Sequence, residues 1–415
     1  METKTILISG ASIAGPALAF WLNKYGFKPT IIERAPGIRP GGYAVDFRGV
    51  GVDVLEKMDI VNEIKKYETR AGKITIVNKN NKKLASMPDG FTSGELEILR
   101  GDLANVFYEA TKNDTEYIFD DSITTIQQTA TGVEVAFNKG ESRKFDLVIG
   151  ADGLHSNVRA LAFGDEARFL HHLGIYFAIF TTPNFMGLKD MAGLYYGSLG
   201  KRAGVFSSKK DTQAQASFYF ASPKFDYNYR DTEAQKQIIR NMFTGEPWQI
   251  PKMLRYMDDA KDFYFDSVSQ IRMDRWSDGR VALLGDAGYC ASPMSGMGTS
   301  MAVVGAYILA GELNGANGDY ATAFARYEKQ MRPFVTAAQK LAEGAEWFVP
   351  TTRFKLWMSR QIWKILPHTP WKNMMIEMPM KVATSIKIKE YNCDKTADMA
   401  YDLSGNLDAK GEKIQ

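Results

Sequence analysis

The opening segment constrains the fold more than any other part of the chain. Residues 5–9, TILIS, form a short apolar, β-branched run, the pattern of a strand buried on both faces. Gly10-Ala-Ser12-Ile13-Ala14-Gly15 follows, then PALAFWLNKYG, a helical pattern closing at Gly26. KPTIIER, residues 28–34, reads as a second strand. Together these make one βαβ unit of the length such a unit requires. Gly10 permits a tight turn out of the strand, the small Ser12 lets backbone approach a pyrophosphate, and Gly15 lets the helix pack close to the sheet. The helix start then offers free N–H groups and the positive end of its dipole to phosphates. Glu33 stands 18 residues beyond Gly15, where a carboxylate accepts hydrogen bonds from a ribose. That acid favours FAD or NAD over NADP as the resident dinucleotide. Ser12 departs from the usual middle glycine, so strand, helix and acid carry the reading together.

Two further strand ends repeat the device. DLVIGADGLHSNVR ends a buried run with Asp152 and Gly153, followed by Ser156 and Arg159. GRVALLGDAGYCASPMSGMG ends another with Gly285 and Asp286, and continues into a loop holding Pro293, Gly296, Met297 and Gly298. The C-terminal ends of strands are where open α/β sheets bind ligands. A Gly/Ser/Pro loop running into a helix presents backbone N–H groups to an anionic ring or phosphate.

The 415 residues are too many for one ordinary core, so at least two packed regions are expected. A net charge of +3 gives no electrostatic case for nucleic-acid binding. Two distant cysteines and four histidines supply neither a disulfide framework nor a metal site. The N-terminal apolar run is interrupted by Ser and Gly, which argues against a signal peptide, and no stretch has the length of a membrane span, so a cytoplasmic protein is expected. Helices are expected over 50–68, 231–257, 298–313 and 319–343, a hairpin over 73–87, a strand running into a helix over 98–111, and a meander of strands over 123–153. Residues 171–270 alternate aromatic and polar residues, the pattern of an antiparallel sheet with one wet face.

The three motifs, in this order and at these separations, resemble the single-component FAD monooxygenases of the para-hydroxybenzoate hydroxylase type over roughly residues 4–340. Within that family GGYAVDFRG, EILRGDL, DSVSQIRM and VGAYILAGEL are most similar to the tetracycline-inactivating flavoenzymes. The resemblance implies an α/β architecture: a Rossmann-like FAD-binding domain (1–170 and 271–330), an inserted antiparallel-sheet substrate domain (171–270) and a C-terminal helical segment (331–415). It implies that Gly10, Ser12, Ile13, Ala14, Gly15, Glu33 and Arg34 contact the ADP half of FAD. Asp152 and Gly153 would serve both FAD and the nicotinamide nucleotide, and Asp286 the ribityl chain or the pyrophosphate side of FAD. Pro293, Gly296, Met297 and Gly298 would line the isoalloxazine. Arg100 would contact FAD from a helix start, with Arg39 and Asp46 near the flavin and Arg39 available to NADPH. The implied chemistry is flavin-centred, with no protein nucleophile and no metal. NADPH or NADH, as a transient co-substrate, reduces the flavin, and O2 reaches an electron-rich ring or enol through a flavin C4a-hydroperoxide. Met297, Ser300 and Gly305 depart from the family's usual Gln, Asn and Asp.

A flavin halogenase, an isoprenoid-type reductase and a non-enzymatic flavin sensor share the same FAD domain and are the alternatives. Phe177, Phe180, Tyr195, Phe218 and Phe220 are candidate walls for an aromatic substrate, with plain sheet core as the first reading of any one of them. His155 is expected in a solvated loop, with a proton relay as the other reading. Residues 331–390 carry ten Lys/Arg against four Asp/Glu with four tryptophans. They are read first as packed amphipathic helices, next as a lid, and last as a membrane-surface helix. The final twenty or so residues are polar, and no feature marks an oligomer interface.

Overall fold

The computed structural model describes residues 4–39, 41–69, 72–87, 94–208 and 212–391. Cys393 and the polar end of the chain lie outside the described residues.

A six-stranded sheet builds the first layer. Its order is Ser277–Asp278, Val281–Leu283, Leu147–Gly150, Thr5–Ser9, Lys28–Glu33, Glu116–Phe119. All pairings are parallel except the short edge strand Ser277–Asp278. Ile6, Leu7, Ile8, Leu147, Val148, Ile149 and Val281–Leu283 are all fully buried, which explains their uninterrupted hydrophobic runs. Three of these strands end at Ser9, Gly150 and Leu283, side by side, so the three sequence motifs emerge at one edge of the sheet. Helices Ala14–Lys24 and Gly298–Gly315 pack against each other. The second is buried from Thr299 to Leu313, and its sequence is apolar on every side accordingly.

The second sheet has seven strands, in the order Tyr264–Ile271, Leu170–Pro183, Gln213–Ala221, Lys201–Ser207, Gly193–Ser198, Ile74–Val77, Lys83–Ser86. The hairpin at 74–86 joins it by a parallel pairing to Gly193–Ser198, so this sheet recruits chain from before residue 171. The expectation of one wet face is corrected: both faces are covered. Phe180, Phe218 and Phe220 turn to one side, where helices Thr232–Phe243 and Ile250–Asp259 close a core. Phe177, Tyr195 and Tyr219 turn to the other.

Two long helical readings are each broken. Residues 50–68 divide into Val50–Lys57 and Val61–Lys66 around Asp59, whose φ is 57°. Residues 231–257 divide at Gly245 and Trp248, both at positive φ. Beyond Lys340, helices Arg353–Ile365 and Trp371–Ala383 form the C-terminal segment. Residues 386–391 then return to the first layer, where Lys389 and Tyr391 reach Glu312 at 2.7 and 2.8 Å. No described helix is long and apolar enough to cross a membrane.

Candidate functional site

The turn after the first strand is packed to contact. A Cβ at Gly10 would stand 2.5 Å from the Ala151 carbonyl oxygen, and one at Gly15 would stand 2.0 Å from the Gly10 carbonyl oxygen. Only glycine fits at either place. Glu33 is buried, and its carboxylate accepts from the N–H of Ala11 at 3.0 Å and of Ala35 at 2.9 Å. It therefore fixes the glycine loop while each oxygen keeps a further lone pair. Arg100, first residue of the helix Arg100–Glu109, donates to Ser12 Oγ at 3.0 Å. Ser12, Arg100 and the loop thus converge as the sequence implied. The Ala14–Lys24 helix has no side-chain cap at Ile13, so its first N–H groups are free for an anion. Arg34 and Arg39 are exposed.

The second motif is turned inward. Asp152 accepts from the N–H of Asn157 and Val158 at 2.9 and 3.1 Å, from Ser156 Oγ, and from Ser9 Oγ at 3.3 Å. Burial raises its carboxyl above the usual range against those hydrogen bonds. The carboxylate caps the Asn157–Phe163 helix and ties it to the first strand. Gly153 follows at a φ of 83°. Arg159, with no exposed surface, pairs with Glu166 at 2.6 Å and donates to Ala287 O at 2.8 Å, joining the second motif to the third.

His155 is corrected. Far from a solvated loop, its ring is held between Glu166 (Nδ1, 2.9 Å) and Asp266 (Nε2, 3.1 Å) and stacks on Tyr229. Burial pulls its pKa down, but the hydrogen bonds and charges of Asp266 and Glu166 outweigh it and raise the value to about 9.

At the third motif a Cβ on Gly285 would touch Cβ of Ala14 at 3.4 Å and of Ala302 at 3.8 Å. The starts of both buried helices therefore meet beside Asp286. Met297, which precedes the Gly298–Gly315 helix, provides no side-chain cap either. Asp286 is exposed, yet enough protein surrounds its carboxyl that desolvation raises it. Pro293 is exposed, and Gly296 sits at a φ of 61°. Met297 is fully buried in the main core, and its N–H donates to Ser295 Oγ at 3.2 Å. Gly305 is explained by its neighbour, since a Cβ there would meet the Tyr289 hydroxyl at 2.3 Å.

Sequence reasoning missed several partners. Arg48 pairs with Asp46 at 2.6 Å, donates to Gly296 O at 3.0 Å, and takes Ser300 Oγ as acceptor for its N–H at 3.2 Å. It links Asp46 to the third-motif loop. Burial raises Asp46 to about 6 against the pull of Arg48. Tyr43 is pushed to about 12, first by burial, with the Arg100 charge opposing and the charges of Asp286 and Asp266 adding to the rise. Ser292 holds a φ of 85° at the start of the loop, a strained geometry for a non-glycine residue. An arginine two residues after Asp46 and a serine before Pro293 were visible in the sequence, but nothing local marked them.

From Tyr43 a run of aromatic rings crosses one face of the second sheet. Tyr43 to Tyr264 is 6.1 Å, Tyr264 to Phe177 5.7 Å, Phe177 to Tyr219 6.0 Å and Tyr219 to Tyr195 6.4 Å between centroids. Met294 of the third-motif loop and Phe348 from beyond the long helix pack on this floor. Of the five candidate wall residues, Phe177 and Tyr195 lie here. Phe180, Phe218 and Phe220 are on the opposite face, because strand parity places them in the helix-covered core. A separate hollow of about 280 Å³, lined by Trp276, Tyr289, Arg332 and Gln339 among others, contains none of the predicted site residues.

The glycine contacts, the buried acid on the loop and two uncapped helix starts are brought together beside Asp286, at the C-terminal ends of the parallel strands. The chain belongs to the FAD-binding-domain family of flavin-dependent monooxygenases, whose model matches residues 2–342. It is 47% identical over 344 residues to the Mycobacterium tuberculosis protein Rv1260, covering 81% of this chain and 92% of that one. It is 42% identical over 339 residues to a flavin-dependent monooxygenase of Legionella longbeachae, covering 81% and 87%. Among solved structures it is similar to the tetracycline destructase Tet(51), with a TM-score of 0.83, 36% identity, and coverage of 94% of this chain and all of that one. The fold is also that of Klebsiella pneumoniae HpxO complexed with FAD and uric acid (TM-score 0.70, 20% identity, coverage 92% and 97%). The protein is an FAD-dependent oxidoreductase, and NAD(P)H is the reductant typical of its family.

Proposed function

We propose that this enzyme hydroxylates a flat aromatic or polycyclic phenol or enol, with tetracyclines among the candidates, in the cleft between the two sheets. The aromatic run from Tyr43 to Tyr195 carries the reading, because it lines one face of the second sheet with rings of mixed tilt, the surroundings an aromatic ligand favours. Bound FAD supplies the redox chemistry, taking reducing equivalents from NAD(P)H and activating O2. The chain's own residues bind and orient. The N–H groups at Ile13 and Ala14 receive the pyrophosphate, Glu33 the ribose, Asp286 the ribityl hydroxyls, and the loop from Pro293 to Gly298 the ring. Arg48 holds that loop in place through Gly296 O. Arg39 and Arg34 are the exposed cations offered to the phosphates of the transient dinucleotide.

The substrate is covered from above by the C-terminal segment, with Phe348 over Tyr219 and Tyr195 and with Trp363 packed in the same cluster. This supports the lid reading for that segment and helps exclude water from the reacting centre. We place the domain boundaries near 170, 270 and 330, with the 74–86 hairpin as an outlying part of the substrate sheet, and the protein in the cytoplasm.

The test is to load the purified protein with FAD and follow NADPH and O2 consumption with a panel of polycyclic phenols that includes tetracyclines. One substrate should stimulate both and gain a single oxygen atom by mass. Stimulation that requires chloride or bromide would instead identify a halogenase. Reduction of a ligand without O2 uptake would identify a reductase.

A further inference from the structure

A helix at a protein surface normally turns its apolar side inward. The helix Arg353–Ile365 does the reverse. Its inner side, at spacings of three and four, holds Leu356, Ser359, Arg360 and Trp363. Ser359 is buried, Arg360 donates to Gly197 O at 3.3 Å, and Trp363 packs on the second sheet. The opposite side holds Phe354, Trp357 and Ile365, with the rings of Phe354 and Trp357 stacked at 6.3 Å. The next helix, Trp371–Ala383, repeats the pattern with Trp371, Met374 and Met378 one turn apart on one face. These six apolar side chains are 47% to 68% exposed. Cations border both stripes. Helical spacing puts Arg353 and Lys364 on one flank of the first and Lys355 on the other, and Lys372 and Lys381 on the two flanks of the second.

Charge is segregated to the same place. From Arg353 to Lys381 six Lys/Arg stand against the single acid Glu377, so of the chain's net +3 this stretch carries +5 and the rest carries −2. The first helix also packs along the strand Lys83–Ser86, whose hairpin exposes Lys79, Lys82 and Lys83. An apolar surface of this kind left in water is unfavourable and marks a contact face. Whatever covers it has to present apolar and negative groups together. We propose that the outer faces of these two helices rest on an anionic lipid surface. Trp357 and Trp371 take the headgroup level, and Phe354, Ile365, Met374 and Met378 enter the outer acyl region. The flanking lysines and arginines extend sideways to lipid phosphates. The contact lies in the plane of the bilayer, since no described helix is long and apolar enough to cross it. Trp363, on the inner side of the first helix, belongs to the cover of the aromatic run, so docking places that cover against the apolar phase.

The experiment co-sediments the FAD-loaded full chain with two sets of vesicles. One is phosphatidylcholine alone, and the other is equal parts phosphatidylcholine and phosphatidylglycerol. The wild type should partition into the anionic set about tenfold or more above the neutral set, the effect of several cations near a charged surface. The preference should shrink as salt is added. Lipid brominated in its acyl chains should quench the tryptophan fluorescence of the bound protein. Trp357→Ser combined with Trp371→Ser should lower partitioning by about tenfold and remove most of the quenching. FAD absorbance and melting temperature should hold, because both side chains are largely exposed. Lys364→Glu combined with Lys372→Glu should erase the preference for the anionic set. Equal partitioning of the wild type into both sets, absent binding included, overturns the proposal whether or not the variants fold. So does binding that the double tryptophan variant keeps in full. A dimer in solution that this variant dissociates, without vesicle binding, also overturns it and assigns the face to a second copy of the chain. Lipid binding is read without turnover, so it stands or falls apart from what the cleft oxidises.

Discussion

The two ends of the cleft use their polar groups in opposite ways. At the nucleotide end the buried charged side chains are committed to protein atoms, with Asp286, Arg34 and Arg39 left exposed: Glu33 to the N–H of Ala11 and Ala35, Asp152 to a helix start, Arg159 to Glu166 and Ala287. What remains for a ligand is mostly backbone, held by glycines with no room for a side chain. At the end proposed for the substrate the lining is side chain: aromatic rings at mixed tilts and the buried guanidinium of Arg202 with an unpartnered nitrogen. A ligand read by backbone geometry tolerates little change in the protein. A ligand read by side chains can be exchanged by a few substitutions on a strand. This physical contrast fits one cofactor serving many substrates on one fold.

The sharpest way to break the contrast is at Gly15. In Gly15→Val the new side chain would have to displace the Gly10 carbonyl, 2.0 Å from its Cβ, so helix and sheet cannot close. The expected product is insoluble or colourless protein. A soluble yellow preparation would show that the nucleotide end is less rigid than its contacts imply. Asp286→Ala is milder, because it removes an acceptor and leaves the backbone intact. FAD affinity should fall by about 10- to 100-fold, the loss of hydrogen bonds to a charged group, read from the flavin absorbance retained after dialysis.

How much of this was legible in the sequence follows the same division. The nucleotide end is local: strand, glycine turn and helix are contiguous, and Gly10, Gly15 and Glu33 fall where spacing put them. Gly285 and Asp286 were equally readable as the end of a buried run. The substrate end depends on register. Phe177 and Phe180 look alike in GIYFAIFTTPNF, yet they stand three residues apart and so point to opposite faces. Phe218 and Phe220 fall with Phe180 for the same reason. Arg202 follows Gly200 and Lys201, and its burial comes from Phe348, 146 residues away. His155 meets Asp266 across 111 residues. No window of sequence contains such pairs.

Gly204 tests the separation from the other side. It lies on the cleft face, where an added Cβ would stand 2.7 Å from Tyr195 Cε1 and 2.8 Å from Ser217 Oγ. Gly204→Val should cost about 1–3 kcal/mol of stability by overpacking. FAD should be retained, and substrate-stimulated NADPH oxidation should drop by about tenfold or more, as expected when a reacting ring is displaced by a fraction of an ångström to an ångström. Loss of FAD in this variant would mean that the two ends are not independent.

His155 is one place where the two ends are joined, since Asp266 belongs to the second sheet and Glu166 follows the second motif. The raised pKa makes that joint sensitive to pH. A histidine with a folded pKa near 9 and an unfolded value near 6.5 contributes its full stabilisation below about pH 6.5 and loses it as pH rises through about 9. The contribution is on the order of 3 kcal/mol. Asp46 titrates below this window, near 6, while Arg202 and Tyr43, near 10 and 12, titrate above it. The melting temperature of the wild type should therefore decline between pH 7 and 9.5, while His155→Gln starts lower at pH 7 and changes little over the same range. The two curves should converge toward pH 9.5. Parallel curves would remove the protonated histidine from the joint and leave Arg159–Glu166 as the contact that couples the flavin motifs to each other alone.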